Sequence, residues 1–153
     1  MGEDRVDARQ ISDRLEIAEL LARYARGVDT KDWALWRTVF TEDAHIDYRS
    51  AGGIEGDRET VGKWLAAALT AFPMTQHYIT NVEIDVDGDT ARVRAMFYNP
   101  MRFRGADDLN FYGGYYHHQL VRTSHGWRSR DLREETTWSV IPPLRPGPKD
   151  QAA

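Results

Sequence analysis

The amino-acid sequence predicts an α+β domain in which helices come first and pack on one face of an antiparallel sheet. Apolar residues recur at three- and four-residue spacing as far as Phe40, and from Met74 onward the pattern changes to runs rich in Val, Ile, Tyr, Phe and Trp between turn residues. The order of these two patterns sets the fold class.

The first helix is expected over Asp7 to Val28 and a short second one over Asp32 to Phe40, where Trp33, Trp36 and Phe40 fall on one side. A short strand, Ala44 to Tyr48, and a Gly-rich turn lead to GDRETVGKWLAAALTAFP. Asp57 at a cap position and Pro73 as a stop mark this as a third helix. The strands that follow are QHYITNVEIDV, TARVRAMFY, LNFYGGYYHHQLVRT and WRSRDLREETTW, with VDGD and SHG as turns. Residues 1–141 are expected to form one domain, and 142–153, PPLRPGPKDQAA, a loose tail without a core-forming pattern. In the strand from Gln76 to Val86, Tyr78, Val82, Ile84 and Val86 alternate onto one face and His77, Ile79 and Asn81 onto the other. Apolar groups on both faces call for cover on both, by helices and by a second subunit, unless a bulge resets the alternation.

Composition narrows the function classes. The 153 residues are 41% hydrophobic and 11% aromatic, enough for one real core. Net charge is −4, and the 20 Lys and Arg are scattered among 24 acids without a basic stripe, so nucleic acid is a poor partner. No apolar run approaches the ~20 residues of a membrane span, and the N-terminus lacks a signal-peptide core, so a cytoplasmic location is expected. With no cysteine, thiolate nucleophiles, disulfides and cysteine-ligated metals are excluded. The five histidines show no zinc spacing, and adjacent His117 and His118 point to opposite faces of a strand, so no metal site is expected. No G-x-S-x-G elbow, P-loop or dinucleotide fingerprint occurs, and no cofactor is expected.

One acid is out of place. On a helical wheel centred on Tyr24, the apolar arc contains Leu20, Ile17, Val28, Leu21, Ala25, Ala18 and Leu15, and Asp29 falls within it at about 140°. A carboxylate withdrawn from water costs several kcal/mol unless it is paired. Asp29 therefore either meets a partner inside the fold or, if Gly27 ends the helix, caps the next helix at Lys31, Asp32 and Trp33. Tyr24, Asp29, a strand histidine and an arginine are the groups left to carry chemistry. An imidazole held by a carboxylate is a fixed, stronger base, and a nearby phenol can polarise a carbonyl or protonate a departing hydroxyl. A lone strand histidine such as His77 is also an ordinary core residue.

Three segments, IAELLARYARGVDTKDWALWRTVFTEDAHIDY, QHYITNVEIDVDGDTARV and YYHHQLVRTSHGWRSRD, in this order and spacing, resemble the SnoaL-like branch of the nuclear-transport-factor-2-like superfamily over about Ile11 to Trp138. The resemblance implies a cone: helices on the concave face of a curved antiparallel sheet, an apolar pocket inside, and an outer sheet face used for homodimers. It is nearest to cofactor-free lyases: scytalone dehydratase, bile-acid 7α-dehydratase and hexachlorocyclohexane dehydrochlorinase. Their pattern implies Tyr24, Asp29 and His77 as catalytic residues, with Arg133 matching an arginine of the last strand and His118 a second histidine. Ketosteroid isomerases, more distant, keep an oxyanion-hole tyrosine at the Tyr24 position and an acid at the His118 position. Their general-base aspartate has no counterpart, because Tyr48 occupies that place and Asp47 points the other way.

These residues imply a lyase in which His77, oriented by Asp29, removes a proton next to a carbonyl while Tyr24 stabilises the oxyanion. Cyclisation and isomerisation share the enolate step. Trp33, Trp36, Phe40, Tyr48, Trp64, Phe97, Phe103, Tyr116 and Trp138 are candidates for a pocket suited to a small, flat, apolar ligand, or are plain core. The fold also hosts non-catalytic binding and assembly domains, such as the β subunits of ring-hydroxylating dioxygenases, and that reading stands beside the lyase.

Overall fold

A computed structural model describes residues 7–143; the sequence-expected tail beyond Pro143 lies outside the described residues. Helix α1 (Ala8–Asp29) starts where Asp7 accepts the Gln10 N–H at 2.7 Å. It does not unwind at Gly27. That glycine instead lets α2 (Trp33–Arg37) cross closely, since a Cβ there would lie 2.9 Å from the Trp36 backbone nitrogen. Asp32, not Asp29, caps α2 by accepting the Leu35 N–H at 3.0 Å. The expected second helix is shortened because its last turn gives way to β1 (Phe40–Asp47), which starts earlier than the sequence suggests. A hairpin to β2 (Glu55–Asp57) leads to α3 (Arg58–Ala68), capped by Asp57, and a 3-10 turn, Leu69–Ala71, completes the third helical segment.

The remaining strands are β3 (Met74–Thr75), β4 (Tyr78–Asp87), β5 (Thr90–Arg102), β6 (Leu109–Thr123) and β7 (Gly126–Val140). Together they form a seven-stranded curved open sheet in the order β2-β1-β7-β6-β5-β3, with β4 paired to β5 beside β3. All ladders are antiparallel except β1 with β7, which is parallel; these two strands lie far apart in the chain and share no hairpin.

Two bulges decide which side chains face inward. In β4 the register slips between Thr80 and Glu83, where Asn81 has φ 49°. Ile79, Ile84 and Val86 therefore all pack against the core, and only Tyr78 and Val82 of the apolar set stay exposed. The simple alternation read from the sequence puts Ile84 and Val86 on one face with Tyr78 and Val82; the bulge separates the two pairs. In β7 the ladder slips between Ser129 and Asp131, leaving Arg130 as the extra residue. Leu132 and Glu134 consequently point inward.

The core lies between the sheet and α1. Ile17, Leu20, Leu21, Tyr24 and Val28 of α1 are buried against Val93, Ala95, Phe97, Tyr116, Leu120, Trp127 and Leu132. Each fully buried large apolar side chain contributes about 1.5–3 kcal/mol, so this one helix face holds much of the fold's stability. The open end of the cone, towards Trp64, Phe72 and Met101, is less tightly filled, and a cavity remains there.

Candidate active site

The last residue of α1 meets the start of the β3–β4 segment. Asp29 accepts three hydrogen bonds there: Thr75 Oγ1 at 2.8 Å, the His77 backbone N–H at 2.8 Å and His77 Nδ1 at 2.6 Å. This answers why an acid belongs in the apolar arc of α1, since three donors compensate the water it loses. Burial pushes the Asp29 carboxyl up, but the His77 ring, its charge and backbone N–H, and Thr75 outweigh this and hold it below the usual carboxylate value. His77 sits just before β4 rather than within the strand. With Nδ1 bound to Asp29, its other ring nitrogen, Nε2, makes no hydrogen bond among the described residues and belongs to a side chain lining the cavity.

That cavity, of about 300 Å³, is enclosed by α1, α3 and the inner faces of β5, β6 and β7. Its wall is mainly apolar: Val28, Trp64, Leu65, Leu69, Phe72, Phe97 and Met101. The size suits a single small organic molecule. Polar groups come from Tyr24, Tyr48, Tyr112, Tyr116, His77, Asn99 and Glu134, with no Lys or Arg among them. Tyr24 and Tyr48 share a hydrogen bond of 2.8 Å between hydroxyls, and the Tyr116 ring stands edge-on to Tyr24 with centroids 5.2 Å apart. Burial, with the neighbouring phenol and Glu134 charges, raises all three phenols well above their ordinary value. They stay protonated at any working pH and serve as hydrogen-bond donors, not bases.

Several sequence-predicted residues line this wall together: Tyr24, Tyr48, Trp64, Phe97, Tyr116 and His77, with Asp29 directly behind His77. Others are placed elsewhere. Phe40 and Trp36 are core residues behind the tyrosines, their rings 4.7 Å apart, and Trp33 packs partly buried against the same core. Phe103 stacks edge-on against Phe72 away from the wall, and Trp138 lies on the outer face.

Arg133 is the principal correction. Alternation from Trp127 and Ser129 would carry it inward, but the Arg130 bulge turns it outward, where it lines a separate groove with Glu83, Arg94 and His117. The inward neighbour is Glu134, which the sequence reading passed over. Leu132 was the available signal: an apolar residue on the strand fixes its own position as inward and therefore that of residue 134. Thr136 Oγ1 donates to Glu134 at 2.9 Å, and burial raises the carboxyl from 4.5 to about 7.

His118 is also off the wall. It is buried beneath Tyr24 and Tyr116, and its Nδ1–H donates to Ser129 Oγ at 2.9 Å, because Ser129 spends its own proton on the Asp131 carbonyl. Its Nε2 is buried without a partner, and burial pushes the imidazole down to about 3. It is a neutral core histidine. Asp47 pairs with Arg49 at 2.8 Å, which holds it at about 2, and it does not line the cavity. Among the described residues, no group of three or more His, Asp and Glu could hold a metal ion.

The fold is thus a helix-lined cone whose mainly apolar cavity is bordered by a carboxylate-held imidazole and buried phenols. The chain belongs to the SnoaL-like domain family, which matches residues 9–133. It is 43% identical over 120 residues to the uncharacterised protein Rv2910c of Mycobacterium tuberculosis, spanning 78% of this chain and 82% of the relative. Among solved structures, a candidate aromatic ring hydroxylase from Novosphingobium aromaticivorans is 28% identical, with TM-score 0.75 over 84% of this chain and 91% of the other. A candidate scytalone dehydratase from the same organism is 21% identical, with TM-score 0.78 over 88% and 91%. A hexachlorocyclohexane dehydrochlorinase from Novosphingobium barchaimii is 15% identical, with TM-score 0.75 over 88% and 97%. The last two likenesses concern the fold, which this chain shares with small-molecule-processing proteins.

Proposed function

We propose that this protein is a cofactor-independent lyase of the dehydratase type, acting on a small, apolar, cyclic or polyketide-like molecule. The observation that carries this reading is His77 held at 2.6 Å by Asp29 at the edge of an apolar cavity. His77 Nε2 removes a proton next to a carbonyl, and Asp29 fixes the ring tautomer and stabilises the imidazolium that forms. Tyr24, supported by Tyr48, donates a hydrogen bond to the developing enolate oxygen. The mainly apolar wall strengthens these interactions and limits the access of water to the intermediate. The same groups serve an aldol-type cyclisation or an isomerisation, which pass through the same enolate.

The test is elimination from 3-hydroxy-1-tetralone, whose loss of water gives fluorescent 1-naphthol. Naphthol formation above the buffer rate that disappears with His77→Ala supports the reading. No acceleration of this probe, together with tight binding of 1-naphthol, favours the second reading, a ligand-binding or assembly domain.

We also propose that two copies pair through the outer sheet face. Tyr78, Tyr98 and Trp138, each 40–46% exposed, form a row across β4, β5 and β7, and the Trp138 ring lies over Gly113, where a Cβ would overlap it. The groove beside this row contains both signs of charge, with Arg92 paired to Asp85 and Arg94 to Glu83, so a second copy of the same face meets no excess of like charge. Light scattering is expected to report a dimer that Tyr98→Glu with Trp138→Glu converts to monomer. A wild-type monomer at working concentration overturns this assembly.

A further inference from the structure

Resting on the lyase reading above, we propose that Glu134 is the pocket's second proton-transfer group, the acid that protonates a leaving hydroxyl, so that the substrate is a neutral alcohol rather than a halide or an anion. Glu134 is the only carboxyl in the described wall of the cavity. Thr136 occupies one of its oxygens, and the other makes no hydrogen bond among the described residues. Among the described residues no Lys or Arg lines the cavity to balance a carboxylate, because the β7 bulge sends Arg133 to the outer face, and the charge His77 can take up is already faced by Asp29. The protonated form is the one this environment favours, and burial accordingly lifts the group to about 7. Asn99, whose Oδ1 is buried without a partner, lines the same wall as a further polar group for an uncharged ligand.

The chemistry of the leaving group selects among substrates. Hydroxide is a poor leaving group and departs far faster as water, so its elimination gains most from a proton donor; chloride and carboxylates leave as stable anions and gain little from one. The described wall of this cavity supplies a proton donor in Glu134 and no Lys or Arg to hold a departing anion. In the step assigned here, the proton on the carbon next to the carbonyl passes to His77 Nε2. The adjacent carbon–oxygen bond breaks, and the Glu134 O–H proton passes to the departing oxygen, releasing water. Return of the proton from imidazolium to the Glu134 carboxylate, directly or through water, resets the site.

The experiment compares 3-hydroxy-1-tetralone with 3-acetoxy-1-tetralone, which share a carbon skeleton and an acidic C–H but differ in the leaving group's need for a proton. Glu134→Gln keeps the shape and removes the proton donor. It is expected to slow the hydroxy probe by about 100-fold or more and the acetoxy probe by no more than about 3-fold, corrected for the buffer reaction. The fall of wild-type activity as pH rises through about 7 should be absent from the residual activity of the variant. Equal slowing of both probes, or of neither, overturns the proposal, whereas survival of both activities in His77→Ala overturns the lyase reading instead. Independently of turnover, His77→Ala protein is titrated with 3-hydroxy-1-tetralone by tryptophan fluorescence. Its affinity is expected to fall several-fold between pH 6 and pH 8 as Glu134 ionises, and to be flat when Glu134→Gln is added. A flat profile with Glu134 present overturns the proposal even if neither probe is turned over.

Discussion

Loss of the His77 imidazole is expected to reduce elimination from 3-hydroxy-1-tetralone by about 10²–10⁴-fold, the range general-base catalysis ordinarily contributes. No other residue in the described wall matches it as a base, since the phenols stay protonated and Glu134, raised to about 7, keeps about half its population in the acid form at neutral pH and lacks the partner that Asp29 gives His77. Asp29→Asn keeps the volume but removes the charge that favours imidazolium and the acceptor that fixes Nδ1, so it should also slow turnover by at least about 10-fold while leaving the KM nearly unchanged. The amide introduced by this substitution can still accept from Thr75 or from the His77 backbone, so the fold should persist. Tyr24→Phe leaves the ring packed against Phe40 and Tyr116 and deletes only the oxygen that bonds Tyr48. Its expected signature is a lower kcat with ligand binding retained. Stopped or continuous naphthol fluorescence measures all three variants. Wild-type rates in His77→Ala would remove the base from the mechanism.

The parts of this site that were legible from sequence share one property: they lie where local periodicity holds. Tyr24 and Asp29 are five residues apart on an unbroken helix, so the wheel placed both on the buried face and posed the question that His77 answers. The helix-then-strand order likewise exposed the fold class. What the sequence concealed lies beyond a change of register. A bulge of one residue inverts every later side chain, and nothing in SRDLREE marks Arg130 as the extra one. Arg133 was thus placed in the pocket and Glu134 overlooked, although Leu132 between them and the core already fixed the parity. In the same way Ile84 and Val86 belong to the core only because Asn81 adopts a positive φ. Pocket aromatics were over-assigned for another reason. Trp33, Trp36 and Phe40 do face the interior, but composition cannot separate a side chain that fills the core from one that borders a void.

The second large effect concerns stability, at the opposite end of α1 from the site. Asp13 is a buried acid on the first helix, and it accepts Arg122 Nη1 at 2.8 Å, Arg122 Nη2 at 2.9 Å and the Trp127 indole N–H at 3.1 Å. Arg122 lies over the Trp127 ring at 4.5 Å and reaches on to Asp89 at 2.9 Å, while Glu16 accepts the Trp127 backbone N–H at 3.0 Å. These bonds tie the start of α1 to the β6–β7 hairpin, so the helix that ends in Asp29 is anchored at both ends. Asp13→Ala leaves a fully buried indole N–H without an acceptor and an arginine without its bidentate partner, and should cost about 2–4 kcal/mol by urea unfolding. Asp89→Ala removes only exposed contacts, to the same arginine and to Arg9, and is expected to cost less than about 1 kcal/mol. The pH response follows from the sign of the shift. Hydrogen bonds from Arg122, against the cost of burial, hold the Asp13 carboxyl below its ordinary value of 3.8 in the folded chain. The unfolded chain therefore takes up this proton first, and the contribution is complete above that value and is lost as pH falls through the lower folded one. Wild-type protein should lose this increment on acidification, whereas Asp13→Ala should show a shallower decline in the same window, and parallel curves for the two proteins would refute the role assigned to Asp13.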